Sequence, residues 1–285
     1  MTRTDSALPP DHLPGPDLPV RARQHPWRWI AGGVVVLVLA LLARAFAQGN
    51  IRWGIVGEFL TAPVILKGFV WTLLITFAAL ALGVVLGFAF GMMRLSANPV
   101  LRFASWLYVW IFRGTPVLLQ LLIWFNIALI FPTLYIPGVI DVKMVVVMTP
   151  FVAAVLGLGV NEGSYLTEVV RGGILSVDRG QVEAANTLGM TPGQTMRRII
   201  LPQTMRLILP VLGNSAVGML KFSSLAATIA MTEMLNAAQR IYFINGAVIE
   251  LLFVCALWYL AGTTVLSIGQ YYLERHFGRS HGGRA

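Results

Sequence analysis

The residues best equipped for chemistry are distributed in a way that excludes most reactions. His12, His25, His276 and His281 all lie in the two tails, without a cysteine or carboxylate at the spacing a metal ion needs. The nearest approach to a phosphate-cradling loop is GNSAVG at Gly213–Gly218, but Met219 and Leu220 follow where such a loop needs Lys and Ser or Thr. No G-x-S-x-G nucleophile turn occurs. Cys255 is the single cysteine and sits in an apolar run, so no intrachain disulfide can form. What remains is a set of polar groups inside long apolar stretches: Asn161, Glu162 and Glu168, then Asn214, Lys221, Ser223 and Ser224. A lysine at the centre of a membrane helix costs about 2.5–3.5 kcal/mol, so Lys221 should face protein, water or a carboxylate. Glu162, Glu168 and Glu233 are the acids available to it. Asn161 with Glu162, and Asn214 with Ser215, interrupt otherwise apolar runs. Such groups either line a path for a polar solute or tie helices together by hydrogen bonds. Glu168 and Arg171 are three residues apart and can pair on one helical face. These residues suit movement of a solute rather than a reaction, so the chain is expected to be non-catalytic, with no cofactor or metal of its own.

The elements that would position these groups are membrane helices. Of 285 residues, 57% are hydrophobic and 12% charged, and the mean hydropathy is +0.75; a soluble domain carries about twice that charge. The first 26 residues hold six prolines and few large apolar side chains, which predicts a disordered tail. A first membrane helix is predicted over 27–47, long enough for the roughly 30 Å hydrocarbon core. Further crossings are predicted at 68–93, 117–131, 144–160 with a helical continuation, 207–229 and 247–271. The short aromatic run at 99–112 reads instead as an interfacial helix. Gly83, Gly87 and Gly91 align on one face, where another helix can approach closely.

Charge placement gives the orientation. With the N-terminal tail inside, only Arg44, Arg52, Lys67, Lys143 and Arg240 of the 21 basic residues fall outside, Lys221 is left within the bilayer, and the other fifteen are cytoplasmic. Both termini are therefore expected inside. The net charge of +9 reflects this bias, and no nucleic-acid partner is expected.

One polar stretch, EAANTLGMTPGQTMRRIILPQ at 183–203, is then cytoplasmic. Asp178 can cap a helix beginning at Arg179, with Gln181 reaching back to the cap. Gly189 supplies the positive φ that ends this helix. Thr191 caps a second helix with Pro192 at its first position and Gln194 completing a capping box. Pro202 disfavours continuation of that second helix beyond Leu201. Two helices of this length are marginal alone and need a partner surface.

The same stretch resembles the signature of bacterial ABC importer permeases: EAA, three residues, G, nine residues, I, one residue, LP. Glu183, Ala184, Ala185, Gly189, Ile199, Leu201 and Pro202 fill it without insertion or deletion. Further passages, among them GFVWTLLIT at Gly68, RLSANPVLR at Arg94, FRGTPVLLQL at Phe112 and SYLTEVVRGGILSVDRGQ at Ser164, are similar to permeases for polar amino acids, the histidine, glutamine, glutamate, arginine and opine group. The resemblance covers roughly 66–272. It implies an all-α membrane protein with the five-helix type I permease core at 66–272 and its coupling loop at 176–203; the helix at 27–47 lies outside that core and brings the expected total to about six transmembrane helices, with a cytoplasmic tail at 273–285. It also implies a bacterial cytoplasmic (inner) membrane location, a polar amino acid substrate, a second permease subunit, an extracytoplasmic solute-binding protein and a cytoplasmic ATPase dimer. ATP and Mg would sit on the ATPase, held against the seven signature residues. The family commonly reads KDTSL where this chain has Lys221, Phe222, Ser223, Ser224 and Leu225. An acid is replaced by an aromatic ring, which weighs against lysine or arginine as cargo. Asn161, Glu162, Glu168, Asn214 and Lys221 to Ser224 are the candidate pathway residues. An ATP-independent carrier or channel is the rival reading, supported by the acidic residues near the bilayer, and a membrane scaffold is a third.

Overall fold

The structure is a computed structural model that describes residues 26–278 with the exception of Val139. The expected N-terminal tail, except Pro26, and residues 279–285 of the expected C-terminal tail lie outside the described residues. The chain divides into two units between Ile51 and Arg52. The first contains one described helix, α1 (Pro26–Gln48). Its 23 residues span ~34 Å at 1.5 Å per residue, enough to cross a bilayer.

The second unit begins with the short α2 (Trp53–Leu60), then α3 (Pro63–Arg94), α4 (Pro99–Gly114) and α5 (Val117–Phe125). An antiparallel hairpin of β1 (Thr133–Ile136) and β2 (Ile140–Lys143), with Thr133 opposite Lys143, leads through the single turn α6 (Met144–Val147) to α7 (Pro150–Leu175). The polar stretch forms α8 (Arg179–Thr187) and α9 (Pro192–Thr195). A π-helical turn, Met196–Ile200, joins α9 to α10 (Leu201–Phe222). A 3-10 segment, Ser223–Ile229, precedes α11 (Met234–Asn245) and α12 (Val248–Gly278).

Four helical stretches are long and apolar enough to cross a membrane: α1, α3, Pro192–Ile229 and α12. The pair α4 and α5, bent by 103°, makes a fifth if counted as one broken span. α7 matches them in length, ~39 Å for its 26 residues, but it carries Glu162, Glu168 and Arg171 and is enclosed by protein. Three expected boundaries differ. The crossing predicted over 117–131 is helical only to Phe125, because Asn126 ends α5 and a 3-10 turn follows. The crossing predicted from Met144 begins at Pro150, where Thr149 caps the helix by accepting from Val152 N. Pro202 does not end the preceding helix: the π turn shifts the hydrogen-bond register, and Pro202 falls in the first turn of α10.

α7 is the axis of this unit, and its fit against α3 follows from the glycine face. A Cβ at Gly87 would lie 2.5 Å from Leu166 Cβ, and one at Gly91 would lie 2.8 Å from Val170 Cγ1. Gly159 and Gly163 answer from α7: added Cβ atoms there would meet Ala79 O and Leu86 Cβ at 2.8 Å. The two backbones thus approach where side chains are missing on both sides. Around this seam Ile75, Leu121, Leu158, Met219 and Ile229 form one apolar core, and Ile65, Met234, Leu251 and Val254 form a second. Glu233 is buried beside the second core. Its carboxyl caps α11 by accepting from Leu235 N and Asn236 N, and it also accepts from the hydroxyls of Thr72 on α3 and Tyr259 on α12.

Candidate functional site

An open cleft of about 950 Å³ lies between the α4–α5 elbow, α7 and α10. The elbow contributes Arg113, Thr115 and Pro116; α7 contributes Asn161, Glu162, Tyr165 and Glu168; α10 contributes Asn214, Ser215 and Phe222. The spacing 161, 165, 168 places the α7 residues along one helical face.

Its charges are arranged unevenly. Glu168 is compensated twice, by Arg171 Nε at 2.8 Å and by Arg94 Nε at 3.9 Å from the end of α3. Glu162 accepts a hydrogen bond from Ser215 across the cleft and has no ion-pair partner among the described residues. Arg113 stands 4.9 Å from the centre of the Tyr165 ring, a cation–π contact, and it too has no carboxylate partner among the described residues. Asn161 donates from Nδ2 to the Phe112 carbonyl at 2.7 Å, so it both lines the cleft and holds the elbow.

Of the candidate pathway residues, Asn161, Glu162, Glu168, Asn214 and Phe222 come together in this cleft, while Lys221, Ser223 and Ser224 do not line it. Ser223 is buried and donates to the Leu220 carbonyl, and Ser224 donates to the Lys221 carbonyl. The expected carboxylate for Lys221 is not supplied by any of the three acids proposed. Glu162 accepts from Ser215 and forms no ion pair with Lys221 among the described residues, Glu168 is held by two arginines, and Glu233 by its cap and two hydroxyls. Lys221 is instead exposed on the surface of the unit. Ser215, read from the sequence with Asn214 as a group that interrupts an apolar run, lines the cleft as well, whereas Arg113 and Tyr165 were not expected there. For Arg113, FRGTP at Phe112 was the available signal, since a glycine and a proline two residues apart mark a break that places the arginine at a helix end.

The second assembly is the polar corner. Asp178 accepts from Gly180 N at 2.7 Å and caps α8. Gln181 does not reach back to this cap, because its Oε1 accepts from Gln203 Nε2 at 2.7 Å and links α8 to the start of α10. Gly189 has φ of +73°, and the capping box of Thr191 and Gln194 is complete. Glu183 and Ala184 are exposed on α8, whereas Ala185 is buried. Ile199 lies in the π turn, and Leu201 and Pro202 open α10, all three being half-buried or exposed near the corner. Leu188 is 82% exposed at the tip. Thr191, Gly193, Gln194, Arg197 and Arg198 line a shallow basic notch beside it.

Comparison with known proteins bears on both assemblies. Residues 80–279 match the family model described as the binding-protein-dependent transport system inner membrane component. The chain is 39% identical over 264 residues to the arginine transport system permease protein ArgU of Corynebacterium glutamicum, covering 91% of this chain and 83% of that one. It is 33% identical to the glutamine transport system permease protein GlnP of Escherichia coli, over 75% of this chain and 92% of the relative. Among solved structures it is similar to an amino acid ABC transporter crystallised with histidines, at 33% identity and a TM-score of 0.65, covering 75% of this chain and 94% of that one. The methionine transporter MetNI, at 18% identity and a TM-score of 0.62, covering 75% and 96%, shares the fold.

Proposed function

Because the chain belongs to the family of binding-protein-dependent transport system inner membrane components, we propose that the cleft is its solute path and the corner its ATPase contact. The protein is a permease of an amino acid ABC importer, a multi-pass membrane protein that works with an ATPase and a second permease subunit. In this reading it resides in the inner membrane and receives a polar amino acid from an extracytoplasmic binding protein. ATP binding and hydrolysis occur on the ATPase dimer, which grips Glu183, Ala184 and the Gly189 corner. Its closure is carried through α9 and the π turn into α10, whose far end borders the cleft.

The observation that carries the solute path is the pair of uncompensated opposite charges in one cleft. Glu162 offers a carboxylate and Arg113 a guanidinium, which complement the ammonium and carboxylate of an amino acid. The similarity to ArgU makes arginine the first substrate to test. Phe222 stands in the lining where similar permeases commonly carry an acid, and Glu162 supplies a carboxylate from α7 in its place.

The test is uptake by proteoliposomes holding the complete importer. ATP-dependent accumulation of L-arginine is expected, with Glu162→Gln lowering it about tenfold or more, the cost of losing one charged hydrogen bond. Uptake that persists without ATP would support the carrier instead. ATP turnover without solute movement would support the scaffold.

A further inference from the structure

The elbow between α4 and α5 frees two carbonyls from their helical partners. In a continuing helix Ile111 O would accept from the N–H of residue 115 and Phe112 O from that of residue 116. The first is served by the Thr115 hydroxyl at 2.9 Å. The second loses its partner outright, because residue 116 is proline. Two side-chain amides fill that place: Asn161 Nδ2 from α7 at 2.7 Å, and Gln120 Nε2 from α5 at 2.9 Å.

Gln120 is buried, and its orientation is dictated by its surroundings. Its nitrogen also faces Thr115 O at 3.1 Å and Thr115 Oγ1 at 2.8 Å. A reversed amide would set its oxygen against two carbonyls. The cost is that Oε1 has no partner, the only such buried side-chain atom among the described residues. A side chain that tolerates an orphaned acceptor is held for what its donor does. The residue beside the doubly held carbonyl is Arg113, the cleft cation without a carboxylate.

We propose that Gln120 and Asn161 are positioning residues that act through the Phe112 carbonyl to present Arg113 to the α-carboxylate of the transported amino acid. This rests on the cleft being the solute path. Arg113 is then the specificity residue for the free acid, and the elbow is the bracket that aims it.

The permease–ATPase complex in nanodiscs, without binding protein, provides the test by equilibrium binding of radiolabelled L-arginine, L-glutamine and L-glutamate. The amino acid that binds is compared with its α-amide, which lacks the carboxylate charge. The wild type should prefer the acid by about tenfold or more, and Arg113→Gln should abolish that preference. Gln120→Met and Asn161→Leu remove the donors at similar size. Each should shrink the preference about threefold, and Gln120→Met, which lies off the cleft lining, should leave the affinity for the amide unchanged; the double variant should lose more than the product of the two, because the carbonyl then has no donor. Preference retained in both single variants and the double variant overturns the positioning role alone. Equal loss for acid and amide marks a packing effect and also overturns it. A wild type that binds none of the three amino acids, or binds one without preferring the acid, brings down the solute-path reading and the proposal with it.

Discussion

Gly189 shows how one backbone angle can be read ahead of any structure. A polar helix running into a glycine and then a Thr-Pro-x-Gln capping sequence leaves little choice but a left-handed residue at the join, and the observed φ is +73°. Valine there strains the corner by about 1–3 kcal/mol. Gly189→Val should therefore keep the fold of the bundle but lower ATP-driven uptake, while Gly189→Asn, which tolerates this conformation, should retain most of it. Parallel assays of ATP turnover and uptake in proteoliposomes decide the matter, and full transport by the valine variant would remove the corner from the mechanism. The same kind of local rule made the Glu168–Arg171 pair legible, since both partners lie within one helical turn. Asn161 bonding Phe112, 49 residues away, follows no local rule, and neither does the isolation of Lys221. Only the tertiary fold decides which distant group is nearest.

At the scale of elements, the seam between α3 and α7 was readable from glycines four residues apart, but its partner was not. That the matching ridge comprises Glu162, Leu166 and Val170 depends on how the helices are laid together. Gly87→Leu would place a side chain where Leu166 already stands 2.5 Å from a Cβ. Overpacking of this kind costs about 1–3 kcal/mol, so the purified variant should melt several degrees lower. Gly57→Leu, on α2 with no atom within 4 Å of an added Cβ, is the control, and equal melting of the two variants would show that the seam is not close-packed. The least legible element was the junction after α9. A proline ten residues after the start of a short helix predicts an end, yet the π turn absorbs it, and helical structure runs on from the corner into α10. The hairpin at 133–143 was missed because its strands are four residues each and only the second, IDVK, alternates apolar with polar side chains.

For the molecule as a whole, orientation was read from charge placement, and the single cysteine makes it testable without redesign. Cys255 is buried, so a membrane-impermeant maleimide should leave the native chain unlabelled. Leu188→Cys, at a position 82% exposed on the corner, should label only in inside-out vesicles and be protected by bound ATPase. Ile244→Cys, at a position 89% exposed at the end of α11, should label only in right-side-out vesicles. Labelling of both from the same side would overturn the topology.

The cap on α11 has a mechanical consequence. Glu233 accepts from Thr72 on α3, from Tyr259 on α12 and from two backbone amides of α11. Pulling any of these helices away would strand a buried carboxyl short of a donor, a penalty of about 1–3 kcal/mol or more. One side chain thus fastens α3, α11 and α12 into a single block. With the corner as the ATPase contact proposed above, a push arriving there would meet this block as an anvil, leaving the give in the machine to α10 and to the elbow that faces it across the cleft.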